Sequence, residues 1–338
     1  MKVLFIGGNG NISWWCVQKA LEAGHEVYEL NRALTRVTRR AVQPGVKELI
    51  SDVRNEEEVK EVLNNQEFDV VCDFICFNAE QARQAIRLFK KKCQQYIVIS
   101  SEAVYQRQTE NLPFTEDSPL YDYDVKDDYI KGKLEVEHAF KEAYKKDRLP
   151  VTVVRPGYTY DTIIQVPIGQ NCFTAPRRLL EGYPYLIPGD GENLLAPLHS
   201  RDFANAFVEL FGVNEAIGEC FHITAEKYIT QNEMAECILS ALGCDINNVK
   251  HIPYDVAVSI EGFYSEVVNR QHMWHYLFDL TKIKSIAKDW RQTVNFKDGI
   301  KETVAWLLED ERRQRIKESC DEKIMKLYEE YGCRGGKR

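Results

Sequence analysis

The sequence predicts an α/β fold: a doubly wound parallel sheet followed by a smaller C-terminal α/β domain. Short apolar runs alternate with stretches of helical spacing through the first half of the chain. A glycine-rich turn separates the first apolar run, residues 2–6, from the first helical stretch. With 338 residues and 44% hydrophobic content, the chain is long enough to bury a large core and to add a second domain.

The predicted elements of the first half alternate as a parallel sheet with right-handed crossovers requires. Strands are predicted near residues 2–6, 26–30, 47–50, 69–75, 94–100 and 150–155, and helices near 11–23, 55–64, 79–91 and 127–146. The carboxyl ends of these strands meet at one edge of the sheet, where we expect a ligand site. We expect a first domain over 1–160, a second over 161–310 with excursions back to the first, and a charged helix and tail over 311–338.

The opening turn has the residues that a dinucleotide-binding turn needs. Gly7, Gly10 and Ser13 lie between a strand and a helix. Glycine at position 7 permits a tight turn, and glycine at position 10 lets backbone N–H groups, including those of Asn11 and Ile12, approach a pyrophosphate. A glycine cluster alone fits any tight turn, but its place between these elements favours dinucleotide binding.

The end of the second strand bears on which cofactor binds. Asn31 and Arg32 form the strand tip, and three more arginines follow at Arg36, Arg39 and Arg40. Arginine at this place accommodates a 2′-phosphate, so NADP is slightly favoured over NAD, although an acidic residue, Glu29, lies close by. Asp52 and Val53 end the third strand and are expected near the adenine. The alternative for Asp52 is a cap on the helix that follows.

Three side chains suggest acid–base chemistry. Tyr129 and Lys133 are spaced i, i+4 on a predicted helix, which places the ammonium beside the phenol. A phenol has a pKa of ~10, and a neighbouring positive charge lowers it. Ser101, at the end of a hydrophobic strand, supplies a hydroxyl that orients a substrate oxygen. Such pairs also occur on ordinary solvated helices, so the interpretation depends on the surrounding motifs.

Composition and charge exclude several classes of function. Acidic residues outnumber basic ones, 52 against 44, and the net charge of −8 gives a nucleic-acid partner no electrostatic support. No run approaches the roughly 20 apolar residues that span a bilayer, and no signal peptide precedes the first strand, so no membrane partner is expected. The ten cysteines are scattered, several within apolar runs, which favours a cytoplasmic protein.

No metal site is predicted. Cys72 and Cys76 are separated by three residues and have no second cysteine pair nearby. His272 and His275 lie one turn apart near Trp274, with no carboxylate or cysteine at ligand spacing. We expect both histidines to be packing residues.

Four motifs occur in an order and spacing that a known family shares. They are Gly7-x-x-Gly10-x-x-Ser13, Ser100-Ser101-Glu102-Ala103-Val104-Tyr105, Tyr129-Ile130-Lys131-Gly132-Lys133 and Val153-Val154-Arg155-Pro156-Gly157. The chain resembles the extended short-chain dehydrogenase/reductases, within their NAD-dependent epimerase/dehydratase group. The resemblance covers roughly residues 1–310. It implies a Rossmann-type sheet, an NAD(P) cofactor and a sugar or nucleotide-sugar substrate.

The resemblance also implies roles for the matched residues. Tyr129 as phenolate would remove a proton from a substrate hydroxyl while hydride passes to the nicotinamide. Lys133 would lower the pKa of Tyr129 and hold the nicotinamide ribose, and Ser101 would be the catalytic serine. The residues expected near the cofactor are Ser100, Arg155 and Pro156, with a packed strand residue as the alternative for Ser100.

Departures from the family pattern narrow the reaction. Glu102 and Ala103 stand where the sugar-nucleotide dehydratases carry adjacent Asp and Glu, so dehydration by that mechanism is disfavoured. Epimerisation or keto-reduction remains. Gln106 replaces a usual glycine, and residues 158–170 lack the Tyr-Gly-Pro of the region that grips nucleotide-sugar donors. The substrate is therefore left open.

The second half is expected to supply the substrate pocket. A helix predicted over 171–180 carries Arg177 and Arg178, which are candidate ligands for a diphosphate or else ordinary surface or ion-paired residues. Glu102 and Tyr105 are candidate substrate contacts, with core packing as the alternative for Tyr105.

The remaining segments are assigned structural roles. Tyr183 and Tyr185 beside a proline suggest a lid strand, and His199 is expected to hold the second domain against the first. The segment from Glu309 to Tyr331 predicts one solvated surface helix, which is a candidate contact in a homodimer.

Two hypotheses follow. The first is a cytosolic NAD(P)-dependent epimerase or keto-reductase acting on a sugar or nucleotide sugar. The second is a non-catalytic nucleotide-sensing or RNA-associated member of the same superfamily. The presence of Ser101, Tyr129 and Lys133 favours the enzyme, because a binding module has no need of that arrangement.

Overall fold

A computed structural model of the chain describes residues 1–32, 40–107, 110, 112–169, 172–253, 274–333 and 335. The structural statements that follow concern those residues. Arg36, Arg39 and His272, which the sequence singled out, lie outside them. Among the described residues, no helix has both the length and the apolar content needed to cross a bilayer.

A seven-stranded parallel sheet forms the centre of the molecule, in the order β11-β6-β5-β4-β1-β2-β3. This confirms the predicted doubly wound, Rossmann-type sheet. The strands of the chain are β1 (Lys2–Ile6), β2 (Glu26–Asn31), β3 (Lys47–Ile50), β4 (Phe68–Asp73), β5 (Cys93–Ile99), β6 (Val151–Pro156), β7 (Tyr158–Tyr160), β8 (Tyr185–Pro188), β9 (Leu194–Leu195), β10 (Pro197–His199), β11 (Cys220–Ile223), β12 (Ile229–Thr230) and β13 (Val249–Ile252).

Each face of the sheet packs on its own core because successive side chains of a strand point to opposite faces. In β1, Val3 and Phe5 join one apolar cluster, whereas Leu4 and Ile6 join the other. The first cluster continues into the second half of the chain and includes residues as distant as Tyr328. The division into domains at residue 160 stays a prediction.

The helices cover both faces. They are α1 (Ser13–Glu22), α2 (Glu56–Leu63), α3 (Ala79–Phe89), α4 (Asp128–Asp147), α5 (Thr174–Leu180), α6 (Ser200–Phe207), α7 (Gln231–Leu242), α8 (Thr281–Ile286), α9 (Phe296–Leu308) and α10 (Glu318–Glu330). Side chains that cap the first turn fix where several of them begin: Asn55 caps α2, Asn78 caps α3 and Asp127 caps α4. The cap of α2 is therefore Asn55 and not Asp52.

The predicted lid strand is wrong. Tyr185 begins β8, which pairs in parallel with β13, and the residue is 2% exposed. An inward apolar face and a paired backbone hold β8 in the core. His199 takes the structural role expected of it, because it is buried between Trp15 and Tyr160 and caps α6.

The predicted single helix from Glu309 to Tyr331 is also wrong. α9 ends at Leu308, a short 3₁₀ turn spans Glu311–Arg313, and α10 begins at Glu318. The Asp310 side chain accepts the Arg312 N–H and starts the turn. α10 is not solvated all round, because the stripe formed by Cys320, Ile324, Leu327 and Tyr328 is buried in the core. These four apolar residues at helical spacing are obscured in the sequence by the charges around them.

Candidate active site

Helix α4 is held against the carboxyl end of β4 by a close approach of two backbones. A Cβ atom at Gly132 would lie 2.2 Å from the Phe77 carbonyl oxygen, so no side chain fits at this position. Asp127 fixes the start of the helix by accepting the N–H groups of Tyr129 and Ile130. Together these contacts set the position of Tyr129 and Lys133 at the sheet edge.

Lys133 lies inside the molecule. It is 2% exposed, and its Nζ donates to the carbonyl oxygens of Cys76 and Ile99, at 2.8 Å each. These carbonyls follow β4 and end β5, so the ammonium joins two adjacent strand ends to α4. Burial lowers the pKa of Lys133 to about 8.

Tyr129 and Ser101 are brought together as predicted. The Tyr129 hydroxyl interacts with Ser101, whose own oxygen accepts the Ala103 N–H at 3.2 Å. Ser101 is 8% exposed, whereas Tyr129 as a whole residue is 49% exposed. The ring of Tyr129 therefore borders open solvent while its hydroxyl reaches a buried partner.

The predicted lowering of the Tyr129 pKa is not found. Burial of the hydroxyl raises the pKa of Tyr129 to about 12, the interaction with Ser101 opposes this shift, and the carboxylates of Glu102 and Asp127 add to it. Lys133 Nζ lies 5.8 Å from the centroid of the Tyr129 ring and is engaged with two carbonyls. At neutral pH the hydroxyl is therefore protonated.

Phe77 forms an apolar wall beside these residues. It is 43% exposed, and the Lys133 ammonium lies 4.4 Å from its ring centroid. Sequence reasoning placed residues 74–78 at this sheet edge but gave Phe77 no role, and it did not reveal the close approach at Gly132. The glycine inside the Tyr-x-x-x-Lys spacing was the available signal, because a glycine within a helix usually has a packing reason.

Glu102 is a buried carboxyl next to Ser101 in the chain. It is 2% exposed and receives Nη2 of Arg107 at 3.4 Å. Burial raises the pKa of Glu102 to about 7, and the charge and hydrogen bond of Arg107 act in the opposite direction. The site thus contains a carboxyl that changes charge near neutral pH.

Replacing Glu102 with glutamine should change how stability depends on pH. A carboxyl whose pKa is raised in the folded state contributes most stability at pH values below its pKa in the unfolded chain. That contribution is lost as pH rises through about 7. The free energy of unfolding of the wild type, relative to Glu102→Gln, should fall by about 3 kcal/mol between pH 4.5 and 8. Urea titrations across this range measure the difference. A constant difference would show that Glu102 is not buried as described.

The glycine turn after β1 is built tightly. Gly7 has a φ of 80°, a conformation that side chains rarely adopt. The Ser13 hydroxyl donates to the Gly7 carbonyl at 2.6 Å and accepts the Gly10 N–H at 2.8 Å. The serine in place of a third glycine therefore fastens the turn. A Cβ at Gly8 would lie 2.5 Å from the side chain of Glu29, a close approach that the sequence did not reveal.

The beginning of α1 fits a dinucleotide phosphate. Ile12 stands at the N-cap and provides no side-chain cap, so no such group occupies the N–H groups of the first turn. Asn11 joins this turn to the segment after β7, because its oxygen accepts the Thr162 N–H at 2.9 Å. The glycine turn, these N–H groups and the buried Lys133 would hold the pyrophosphate and ribose of NAD(P).

At the adenosine end, Arg32 extends from the tip of β2 and lies 3.8 Å from Asp52. Both side chains are exposed. Val53 follows Asp52 in the chain. The Asn31 side chain turns back and donates to Asn9 and Glu29. Arg40 is engaged elsewhere, in a two-pronged pair with Asp161.

Two predicted site residues are structural instead. Arg155 is buried and donates to the Glu137 carboxylate at 2.9 and 2.7 Å, so it is not available to a cofactor. Tyr105 is 0% exposed, lies under Arg155 and hydrogen-bonds to His222. Core packing, the alternative for Tyr105, is therefore what the structure shows. Pro156 ends β6 in the buried sheet, and Ser100 is buried with a hydroxyl that has no partner in the described part of the chain.

The expectation that Arg177 and Arg178 bind a diphosphate is corrected. Arg177 pairs with Glu181 on α5. Arg178 binds both Glu181 and Asp321, and so attaches α5 to α10. These carboxylates neutralise both guanidinium groups, and the structure gives neither a part in the site.

Cavity volume does not locate the active site. A cavity of about 450 Å³ lies between α1, the segment 40–44 and α9, and its lining includes Trp14, Arg40, Trp306 and Arg313. Apart from Arg40, none of the residues predicted for the site contributes to it. The candidate site is identified instead by the convergence of Ser101, Tyr129 and Lys133 at the sheet edge.

Residues 7–176, half of the chain, match the protein family described as NAD(P)H-binding. The chain belongs to this NAD(P)H-binding family. This membership confirms the recognised resemblance, and NAD(P) is the cofactor class.

Curated relatives carry several functions. The chloroplast stem-loop binding protein of 41 kDa b from Arabidopsis thaliana is 28% identical over 262 residues, which are 74% of this chain and 65% of that protein. UDP-glucose 4-epimerase from Lactobacillus helveticus is 28% identical over 171 residues, 46% of this chain and 51% of the relative. A dTDP-glucose 4,6-dehydratase from an Actinoplanes species is 32% identical over 130 residues, 38% and 35% of the two chains. The chain thus spans less than two thirds of the length of each.

Solved structures share the fold over nearly the whole chain. The dTDP-glucose 4,6-dehydratase from Bacillus anthracis in complex with NAD has a TM-score of 0.70 at 22% identity, covering 92% of this chain and 97% of its own. UDP-glucose 4-epimerase from Thermus thermophilus in complex with NAD has a TM-score of 0.68 at 20% identity, covering 90% and 98%. These similarities establish the fold of the extended epimerases and dehydratases.

Proposed function

We propose that the protein is an NAD(P)-dependent epimerase or keto-reductase that acts on a sugar or nucleotide sugar. The observation that carries this proposal is the convergence of Ser101, Tyr129 and the buried Lys133 at the sheet edge that also holds the glycine turn. Relatives that act on nucleotide sugars support the substrate class.

The protonation state of Tyr129 favours the reductive direction at neutral pH. Its hydroxyl is protonated, so it donates a proton to a carbonyl oxygen that Ser101 orients. The bound cofactor supplies or accepts the hydride. In the oxidative direction Tyr129 has to lose its proton first, and Lys133 is the nearby ammonium that stabilises the phenolate.

Dehydration is disfavoured by the carboxyl groups of the site. Glu102 is the carboxyl beside Ser101, and the next residue, Ala103, has no acid–base group. Elimination of water by the two-carboxyl mechanism needs one group to act as acid and another as base. We therefore do not transfer the reaction of the dehydratase relatives to this chain.

A ligand screen tests the proposal. Thermal unfolding of the full chain is measured with NAD or NADP, alone and together with individual UDP- and dTDP-sugars, because a ligand that binds the folded state raises the melting temperature. Nicotinamide absorbance then reports turnover with the sugars that bind. Binding of a cofactor together with turnover of a sugar supports the enzyme. Failure of both cofactors to raise the melting temperature contradicts it.

Replacing Arg32 with alanine tests the proposed preference for NADP. Because the exposed guanidinium at the tip of β2 would pair with a 2′-phosphate, NADPH should bind roughly tenfold more weakly and NADH nearly unchanged. Fluorescence titrations with both cofactors measure this. Arg87→Ala, which removes a surface arginine paired with Glu56, is the matched control. Equal losses for NADPH and NADH would refute the preference.

A second candidate is a stem-loop binding protein. It is favoured by the similarity to the Arabidopsis thaliana protein over 74% of this chain. The net charge of −8 opposes it, because nucleic-acid binding draws on basic surface. Mobility-shift assays with an RNA stem-loop at several salt concentrations distinguish the two candidates. Binding that weakens steeply with salt, without sugar turnover, would favour the second candidate.

A further inference from the structure

A set of buried donors lies beside Glu102 and has no part in the chemistry described above. The Arg107 side chain is 7% exposed. Its Nη2 atom donates to the Glu102 carbonyl and carboxylate, at 3.2 and 3.4 Å. Its Nη1 atom is also buried and has no hydrogen-bond partner among the residues that the structure describes. One side of the guanidinium is thus left without an acceptor.

Tyr276 adds a second donor at the same place. Its ring stacks on Arg107, with Cζ 4.1 Å from the ring centroid. The residue is 2% exposed, and its hydroxyl likewise has no partner in the described part of the chain. Tyr185 presents another such hydroxyl. Burial and the charges of Tyr185, Glu102 and Tyr276 raise the pKa of Tyr158, which indicates that these groups lie near one another. Buried polar groups are almost always hydrogen-bonded, so unmatched donors gathered here indicate a missing acceptor.

The donors define the chemistry of that acceptor. A guanidinium offers N–H groups in a planar fork that suits carboxylate and phosphate, and a phenol adds one O–H. Burial raises the pKa of the nearby Glu102 carboxyl to about 7, so this group is readily neutralised and repels an incoming anion little.

The position of the donors indicates which part of a substrate they meet. Glu102, which Arg107 contacts, is the chain neighbour of Ser101 and acts electrostatically on Tyr129. An anion bound by Arg107 therefore lies close to the atoms that Ser101 and Tyr129 hold. It belongs to the reacting sugar itself and not to a diphosphate further along the molecule.

We propose that Arg107 and Tyr276 form an anion subsite that selects substrates with a carboxylate or phosphate on the reacting sugar. The inference rests on the proposed function and narrows it to sugar acids and sugar phosphates.

Isothermal titration of the full chain saturated with NAD(P) tests the subsite with two pairs of probes. UDP-glucuronate and UDP-glucose differ in a carboxylate, and glucose 6-phosphate and glucose differ in a phosphate. In at least one pair the charged member should bind at least roughly tenfold more tightly than the neutral one. The pair that shows the preference identifies the anion.

Variants link the preference to the named residues. Tyr276→Phe removes a hydroxyl that has no partner among the described residues, so the fold should be retained while the preference falls several-fold. The double variant Glu102→Gln with Arg107→Gln replaces the ion pair by two amides and should abolish the preference. Tyr328→Phe removes a buried hydroxyl that already has a partner, the Pro184 carbonyl, and it should keep the preference.

The outcomes separate this inference from the proposed function. Equal binding of charged and neutral probes, a preference that survives both variants, or no binding of any probe overturns the subsite. If neutral sugars are then turned over in a Tyr129-dependent reaction, the proposed function stands without the subsite. A preference that both variants remove, with no turnover of any sugar, supports the subsite and contradicts the enzyme.

Discussion

Replacing Tyr129 with phenylalanine is expected to lower kcat by roughly 10²–10⁴-fold, the usual contribution of a positioned acid–base group. The change removes the hydroxyl that interacts with Ser101 and keeps the ring at the mouth of the site. Because the proposed dinucleotide contacts are the glycine turn and Lys133, cofactor affinity should change by less than about twofold, so the loss appears in the chemical step. Steady-state kinetics and a cofactor titration measure the two effects.

Tyr123 provides the matched control for this experiment. It is also an exposed tyrosine, 51% against 49% for Tyr129, and it precedes the same helix. Its ring stands edge-on to His138 on the outer side of α4. Tyr123→Phe should retain activity. Full activity in Tyr129→Phe, or an equal loss in both variants, would show that the proton does not move through Tyr129.

Replacing Lys133 with methionine is expected to lower kcat by roughly 10²-fold or more, because the phenolate of Tyr129 loses its nearby cation. It also leaves the carbonyls of Cys76 and Ile99 without their shared donor. Lys131→Met, an exposed change on the same helix, should leave activity near that of the wild type.

The pH dependence of stability gives Lys133→Met a second signature. Burial lowers the pKa of Lys133 to about 8, below its value in the unfolded chain, so the unfolded state binds more protons between these values. The free energy of unfolding of the wild type, relative to the variant, should therefore rise from pH 8 to about pH 10.5, by about 3 kcal/mol. Chemical denaturation at several pH values measures it. A difference that stays flat or falls would mean that the ammonium is not buried.

Sequence periodicity was sufficient for six of the seven strands of the sheet, because parallel strands buried on both faces are continuous apolar runs. The seventh, β11, was not predicted. β1 to β6 lie within two residues of their predicted ends. The C-terminal segment failed for a physical reason. In α10 four apolar residues share one face among many charges, and only the neighbouring core shows that this face is buried.

The sequence pointed to the residues of the proposed site more reliably than to their contacts and pKa values. The i, i+4 spacing placed Tyr129 and Lys133 on one helix, but no pattern shows that the Lys133 ammonium binds two strand-end carbonyls. Arg155 was assigned to the cofactor, and Tyr105 was left open between the pocket and the core, because a motif gives no information on burial; both are buried. Arg107 and Tyr276 are far apart in sequence, and only the fold brings their unmatched donors together.

A crystal structure of the full chain with NADP tests the central claim most directly. The account predicts the pyrophosphate at the glycine turn, the ribose hydroxyls on Lys133 and the nicotinamide ring facing the hydroxyl of Tyr129. A dinucleotide bound elsewhere, or a Tyr129 hydroxyl directed away from the nicotinamide, would contradict it.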